Sequence, residues 1–204
     1  MKNNETVSLY LDTATHELVL GARVGHREEV LPLGSSKSAL ERTNVGIEVL
    51  GKDLGFALAD VDAFYCLLGP GSNTGIRLGL TVPRTVYAFN PKIRLFGART
   101  LDVYLAGVKE GAAALSDRAG NLFFAQKKDG KNEMRKIARK EIGTSLPKET
   151  KIRIEKADEL ARLALKDYPV DEIVPLEEMM AHPEAFEDYS SREEAFLPAY
   201  ASSL

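Results

Sequence analysis

The sequence predicts an α/β fold in two lobes, each a mixed sheet with helices packed on it. Three observations predict this class: three short β-prone segments separated by turns open the chain, two strand–loop–helix units follow, and a strand-rich pattern restarts after Gly111. Consecutive strands joined by tight turns pair antiparallel, whereas strands joined through helices lie parallel with right-handed crossovers.

The opening segment predicts an antiparallel meander. A β-prone run at 7–11 ends at the turn cluster 12–15, and further strands are expected at 17–24 and 28–33. From residue 36 the apolar residues recur at helical spacing, which predicts a first helix. Its expected buried face carries Leu40, Ile47, Leu50, Leu54 and Leu58.

Two strand–helix units complete the first lobe. The apolar run 63–68 lacks alternation, as is typical of a strand covered on both faces, and a glycine-rich loop leads from it into a helix at 76–88. A strand at 93–97 and a helix at 100–109, capped by Thr100, follow.

The second half predicts a smaller set of elements. Strands are expected at 112–116 and 122–126, with a third at 131–138, and a helix at 157–166. These assignments divide the chain into a lobe of residues 1–108 and a second lobe of residues 109–204.

Composition excludes several classes of protein. The 204 residues are 44% hydrophobic, which suffices for a core, and one cysteine with three scattered histidines leaves no disulfide framework or Cys/His metal cluster. No apolar run approaches the roughly 18 residues that span a bilayer. We therefore expect no secretion signal, no membrane anchor and a cytoplasmic location.

Charge is unevenly distributed along the second half. Residues 127–156 hold 11 Lys/Arg against 5 Asp/Glu, and residues 157–204 hold 3 against 12. The basic stretch is either a phosphate-attracting patch for RNA or a solvated surface, and the absence of interleaved aromatic residues favours the second interpretation. Its residues are Lys127, Lys128, Lys131, Arg135, Lys136, Arg139 and Lys140.

The turn after the first strand has two interpretations. Asp12, Thr13 and Thr15 could hold a hydrated Mg²⁺ and a nucleotide, or the cluster could close a hairpin through side-chain hydrogen bonds to its own backbone. The second arrangement is the more common one for such a cluster.

The loop 69–75 matches no nucleotide-binding pattern. It lacks the Gly-Lys-Ser/Thr ending of a Walker loop, and Thr74 occupies the place of the third glycine of a dinucleotide fingerprint. Gly75 and Gly79, four residues apart, instead predict a helix face without side chains, against which an internal helix or another subunit can pack closely. Pro83 is expected to kink this helix.

No catalytic constellation is evident, because the histidines have no nucleophile near them in sequence and Ser72 lacks the Gly-x-Ser-x-Gly context of a nucleophile elbow.

Several blocks, in order and spacing, resemble the TsaB family, the partners of the TsaD enzyme. The blocks are 9–15, 60–63, the Gly-Pro-Gly-Ser segment 69–79, and 95–102, so the clear resemblance extends from residue 7 to about 104. The segments 115–123 and 198–200 resemble the family's next hairpin and its C-terminal ending. Asn73 and Pro83 depart from the usual phenylalanine and alanine.

The resemblance implies an actin-like fold of the sugar kinase and heat-shock class, with a reduced C-terminal lobe. It further implies a non-catalytic subunit whose N-terminal lobe pairs with TsaD, which the ATPase TsaE joins. TsaD transfers a threonylcarbamoyl group to the adenosine beside the tRNA anticodon, so contact with tRNA would be indirect. The residues implied in partner binding are Gly71, Ser72, Thr74, Gly75, Arg77, Leu78 and Gly79.

Alternatives to this scaffold role stay open. The family is grouped with glycoprotease-like sequences, but the His-x-x-x-His metal pair of its catalytic members is absent here, so we expect no metal and no cofactor. A small actin-like ATPase or kinase that uses the Asp12 loop is one alternative; in the scaffold role, Asp12, Thr13 and Thr15 would be a vestigial phosphate loop. A divergent member that self-associates as a homodimer is the other.

Overall fold

A computed structural model describes residues 5–34 and 39–199, with the side chains from residue 41 in the second range. The expected start of the first helix, its Leu40 side chain and the Tyr200 of the C-terminal ending therefore lie outside the described residues. The first sheet opens with β1 (Val7–Asp12), β2 (Leu18–Val24) and β3 (Arg27–Gly34). It continues through α1 (Ala39–Leu54), β4 (Ala63–Gly69), α2 (Asn73–Phe89), β5 (Arg94–Arg99) and α3 (Thr100–Tyr104).

The topology of the first sheet confirms the predicted meander and crossovers. β1 pairs antiparallel with β2, which pairs antiparallel with β3, whereas β4 lies parallel to β1 and to β5. All six residues of β1 are buried, as befits a strand in the middle of a covered sheet.

The two faces of this sheet are covered by different helices. α1 and α2 pack against each other on one face, where Gly46 of α1 sits against Leu20. The next residue of β2, Gly21, faces the other side and contacts Leu176 and Met180, because successive side chains of a strand alternate. Three residues predicted on the buried face of α1 are indeed in the core: Ile47, Leu50 and Leu54.

Three sequence expectations in this lobe are wrong. Leu58 is not on the buried face of α1: it is 42% exposed in a short 3₁₀ turn, because the helix already ends at Leu54. Thr100 is not a helix cap, since Arg99 occupies that position and the Thr100 hydroxyl donates a buried hydrogen bond to the Pro70 carbonyl. α3 has five residues and is shorter than predicted.

The second sheet contains the three predicted strands and two more. Its elements are β6 (Gly111–Ser116), β7 (Leu122–Lys128), β8 (Lys131–Ile137), α4 (Ile142–Ser145), β9 (Ile152–Glu155), α5 (Glu159–Ala164) and β10 (Val170–Ile173). The strands lie in the order β10-β9-β6-β7-β8, with β6–β7–β8 antiparallel and β9 parallel to β6 and β10.

The end of the chain returns to the first lobe. α6 (Pro175–Ala181) places Leu176, Met179 and Met180 in the first core, and β11 (Glu187–Asp188) pairs antiparallel with β5. The assignment of all of 109–204 to a second lobe therefore does not hold for residues 175–199. Burial of apolar side chains on a sheet face that would otherwise face water explains this return.

α2 runs from Asn73 to Phe89 through a buried Pro83 as a single helix. No helix in the described ranges combines the length and apolarity that crossing a membrane requires.

Candidate functional site

A cleft of about 870 Å³ separates the two lobes. The turn between β1 and β2 and the start of α2 form one wall, and the turn between β6 and β7 forms the other. Side chains that line it include Thr13, Thr15, His16, Ser72, Asn73, Thr74, Arg77, Asp117, Arg118 and Lys136.

Asp12 closes its own turn and does not face the cleft. Its carboxylate accepts hydrogen bonds from the backbone N–H groups of Ala14 (3.1 Å) and Thr15 (3.2 Å) and from the Thr15 hydroxyl (2.6 Å), and the residue is 1% exposed. Burial raises the pKa of Asp12 to about 7, although the Thr15 hydrogen bonds act in the opposite direction. The geometry is thus that of hairpin closure rather than of an open phosphate or metal loop.

The glycine face of α2 is filled from inside the same chain. A Cβ added to Gly75 would overlap the Thr13 carbonyl oxygen, one at Gly79 would overlap the Thr13 side chain, and one at Gly71 would overlap the Ala14 carbonyl. The spacing predicted an internal helix or another subunit as the neighbour. In the described residues the neighbour is internal, but it is the β1–β2 turn and not a helix.

The implied partner-binding residues therefore separate into two groups. Gly75 and Gly79 are buried within the chain itself, and their role in partner binding stays a prediction. Ser72 caps α2 by accepting a hydrogen bond from the Gly75 N–H (3.2 Å). Thr74 and Arg77 are exposed on α2, whereas Leu78, like Gly71, is half-buried.

α1 and α2 present exposed apolar residues on the face away from the sheet. Val45 of α1 is 59% exposed, Val49 lies one turn further on, and Phe89 at the end of α2 is 88% exposed. A groove of about 500 Å³ runs along α2 and is lined by Arg77, Leu80, Thr81, Arg84, Thr85, Ala88 and Pro198. Exposed apolar side chains grouped on neighbouring elements are typical of a protein-docking surface.

A buried polar cluster joins the lobes at the cleft. His16, in the β1–β2 turn, places Nδ1 2.7 Å from Oε2 of Glu155 and Nε2 3.6 Å from Oδ1 of Asp158. Asp158 also accepts hydrogen bonds from the N–H and the hydroxyl of Ser116 and from the Ala161 N–H, and so caps α5.

Sequence analysis missed this cluster, since 139 positions separate His16 from Glu155. Only Asp158 carries a local signal, as an aspartate directly before a helical segment.

Three residues of the basic stretch are engaged with other parts of the chain. Lys136 pairs with Asp117 (2.8 Å), the Lys127 ammonium donates to the Leu105 carbonyl (3.2 Å), and the Arg135 guanidinium donates to the Ser145 carbonyl (3.1 Å). The neighbouring rings, Phe123 and Phe124, are buried and offer no surface for base stacking. These contacts favour a solvated structural surface over an RNA patch.

Among residues 5–34 and 39–199, no group of three or more His, Cys, Asp or Glu side chains has the arrangement needed to hold a metal ion. Cys66 is buried, which raises the pKa of its thiol and disfavours the nucleophilic thiolate.

Comparison with known proteins supports the fold. No protein-family model and no curated protein matches the chain. Among solved structures, YeaZ from Pseudomonas aeruginosa matches with a TM-score of 0.69 and 18% identity, over 96% of this chain and 99% of that one. A second P. aeruginosa structure, of an uncharacterised protein with similarity to peptidase YeaZ, gives a TM-score of 0.70 with the same identity and coverage.

A Bacteroides thetaiotaomicron protein with an actin-like ATPase fold and unknown function matches with a TM-score of 0.50 and 11% identity, over 88% of this chain and 95% of that one. The chain thus has a YeaZ-like variant of the actin-like α/β fold, as the sequence predicted.

Proposed function

We propose that this chain is a non-catalytic subunit that binds and orders TsaD during threonylcarbamoylation of the adenosine beside the tRNA anticodon. The observation that carries the proposal is the fold, which the chain shares with YeaZ over nearly the whole length of both proteins. YeaZ is the TsaB orthologue of P. aeruginosa. The Gly-Pro-Gly-Ser segment and its flanking blocks support the same family independently of the fold.

The docking surface in this proposal is the outer face of α1 and α2. Val45, Val49 and Phe89 provide exposed apolar contacts, and Thr74 and Arg77 are exposed at the start of α2. A few exposed anchors of this kind dominate the free energy of a protein interface. The two glycines contribute indirectly, since their contact with Thr13 holds α2 close to the β1–β2 turn.

The chemistry is assigned to the partner. TsaE is proposed as a third component, and tRNA is contacted indirectly, since three residues of the basic stretch already bind other parts of the chain. The cytoplasmic location expected from the sequence fits a role in tRNA modification.

The test is a sizing-column mixture with TsaD from the same organism, with modified tRNA measured in parallel. Wild type is expected to co-elute with TsaD and to support modification, while producing none alone. Val45→Glu should abolish co-elution, because it places a charge in the docking face.

Leu163→Glu is the matched control. Leu163 lies on α5 of the second lobe and is 58% exposed, against 59% for Val45. Loss of the complex with both variants, or with neither, contradicts the proposed surface. Failure of wild type to bind the cognate TsaD contradicts the function.

A second candidate, an actin-like ATPase or kinase, is favoured by the cleft itself, since the first turn of the 17-residue α2 lines it. The carboxylate of Asp12, the Mg²⁺ ligand in this candidate, already accepts hydrogen bonds from Ala14 and Thr15 of its own turn. We therefore expect no calorimetric binding of Mg-ATP. Micromolar binding that Asp12→Ala abolishes would establish the second candidate instead.

Self-association through the same α1/α2 face is the third arrangement. It predicts that Val45→Glu converts a homodimer to a monomer on the sizing column without TsaD.

A further inference from the structure

His16 makes one of the contacts that join the two lobes, and this contact lies at the cleft. Its imidazole contacts Glu155 at the end of β9 and Asp158 at the start of α5, and its backbone N–H donates to both Glu155 oxygens (3.1 and 3.2 Å). The two carboxylates are 2% and 0% exposed, whereas the imidazole is 34% exposed and reached by solvent from the cleft. A solvent-accessible imidazole thus bridges two buried acids of the opposite lobe.

The surroundings of this bridge are acidic. From β1, Asp12 interacts electrostatically with both His16 and Glu155, and the buried Tyr104 hydroxyl of α3, which has no hydrogen-bond partner, interacts with all three carboxylates. The charged groups on the cleft walls beyond the cluster are Arg77, Asp117, Arg118 and Lys136, and Lys136 pairs with Asp117.

We propose that His16 is a proton-operated clamp: the imidazolium holds the β1–β2 turn against the second lobe, and loss of its proton loosens this contact and lets the cleft open. The proposal goes beyond the scaffold role, and it does not depend on TsaD or on the docking face.

The direction of the pH dependence follows from two groups that act together. The hydrogen bond with Glu155 raises the pKa of His16 more than burial lowers it. Burial raises the pKa of Asp12 to about 7. A rise in pH therefore removes a positive charge from His16 and adds a negative charge to Asp12. The cluster then becomes two charges more negative while Glu155 and Asp158 stay in place, and repulsion between the walls of the cleft increases.

Cleft width can be measured with a fluorophore pair on Lys52→Cys of α1 and Lys140→Cys of the second lobe, both exposed positions. Cys66 is buried and stays unlabelled. Single-molecule energy transfer is recorded from pH 6 to pH 8.5 at constant ionic strength. We expect the ratio of open to closed molecules to rise with pH, roughly tenfold for each unit of pKa difference between the two states.

Three variants separate the contributions of His16 and Asp12 to the pH response of the cleft. His16→Gln should remove the larger part of the pH response, Asp12→Asn a smaller part, and the double variant all of it. His26→Gln is the matched control, because His26 is an exposed histidine in the next turn of the same sheet. It should respond as wild type does.

Either a flat wild-type response or an unchanged response in His16→Gln overturns the clamp. Circular dichroism verifies that each variant folds. Should His16→Gln fail to fold, NMR titration of the wild-type histidines decides the matter. The His16 midpoint must then coincide with that of cleft opening, and a mismatch of more than about one pH unit counts against the proposal.

Discussion

The two halves of α2 differ in what covers them. In the first half, Gly75 and Gly79 are buried beneath Thr13 of the β1–β2 turn. In the second half, Thr85 is exposed, and Phe89 presents nearly its whole ring to solvent. The same helix therefore packs tightly on its own lobe at one end and offers apolar surface at the other.

The two ends of α2 illustrate two ways in which a helix can contact a neighbour. A face without side chains allows close approach, and here the chain fills that face itself. An exposed aromatic ring has no such internal neighbour, so it is the better indicator of an external one. Each prediction below tests one side of this comparison.

The largest effect is expected from Gly79→Val, which places two methyl groups where the Thr13 side chain already lies. Overpacking should lower the free energy of unfolding by about 3 kcal/mol in denaturant titration. Gly143→Ala, at an exposed position with no neighbouring atoms, should change it by less than about 0.5 kcal/mol. Equal stability of the two variants would mean that Thr13 does not contact α2.

Phe89→Ser tests the other end of the helix. Its stability should stay within about 0.5 kcal/mol of wild type, because the ring is exposed. The affinity for TsaD should fall by about 2 kcal/mol, or roughly 30-fold, if the ring is an interface anchor. Calorimetry measures the second value, and unchanged affinity would exclude Phe89 from the docking surface.

Ser72→Ala tests the start of the helix and should cost about 1 kcal/mol of stability, since the Gly75 N–H loses its acceptor. Ser72→Asp retains an acceptor and should stay near wild type. If both substitutions reduce stability equally, the hydroxyl has a role other than capping.

The smallest effect concerns His16 and depends on pH. The pKa of His16 is raised on folding, so its stabilising contribution is fully present below its unfolded pKa and is lost as pH rises through the folded pKa. His16→Gln should therefore be less stable than wild type at pH 6, and the two should converge at pH 9. At 34% side-chain exposure the difference should stay below about 1 kcal/mol, and a difference that grows with pH would contradict the assignment.

Local patterns were sufficient for most elements of the two sheets. β1, β4 and the hairpin of β6 and β7 were predicted because runs of β-prone residues end at turn clusters such as 12–15 and 117–121. The extent of α3 and the Thr100 cap could not be predicted. The competing partner of the Thr100 hydroxyl, the Pro70 carbonyl, lies 30 residues earlier.

The candidate site likewise contains one feature that the local sequence indicated and one that it did not. The spacing of Gly75 and Gly79 indicated a close approach but not whether a turn, a helix or a second subunit makes it. Apart from Asp158 directly before a helical segment, the His16 cluster left no trace in the sequence, because its members come from two lobes and are brought together by the fold alone.

By itself, the sequence determined the order of strands and helices from β1 to β8, the glycine face of α2 and the likeness to the TsaB family, since these depend on neighbours within a few residues or on short blocks. The tertiary structure alone decided that Thr13 fills the glycine face, that residues 175–199 return to the first sheet and that a histidine bridges the lobes. The physical reason is that each of these contacts joins segments far apart in the chain, and its free energy depends on burial and charge at positions that only the folded chain brings together.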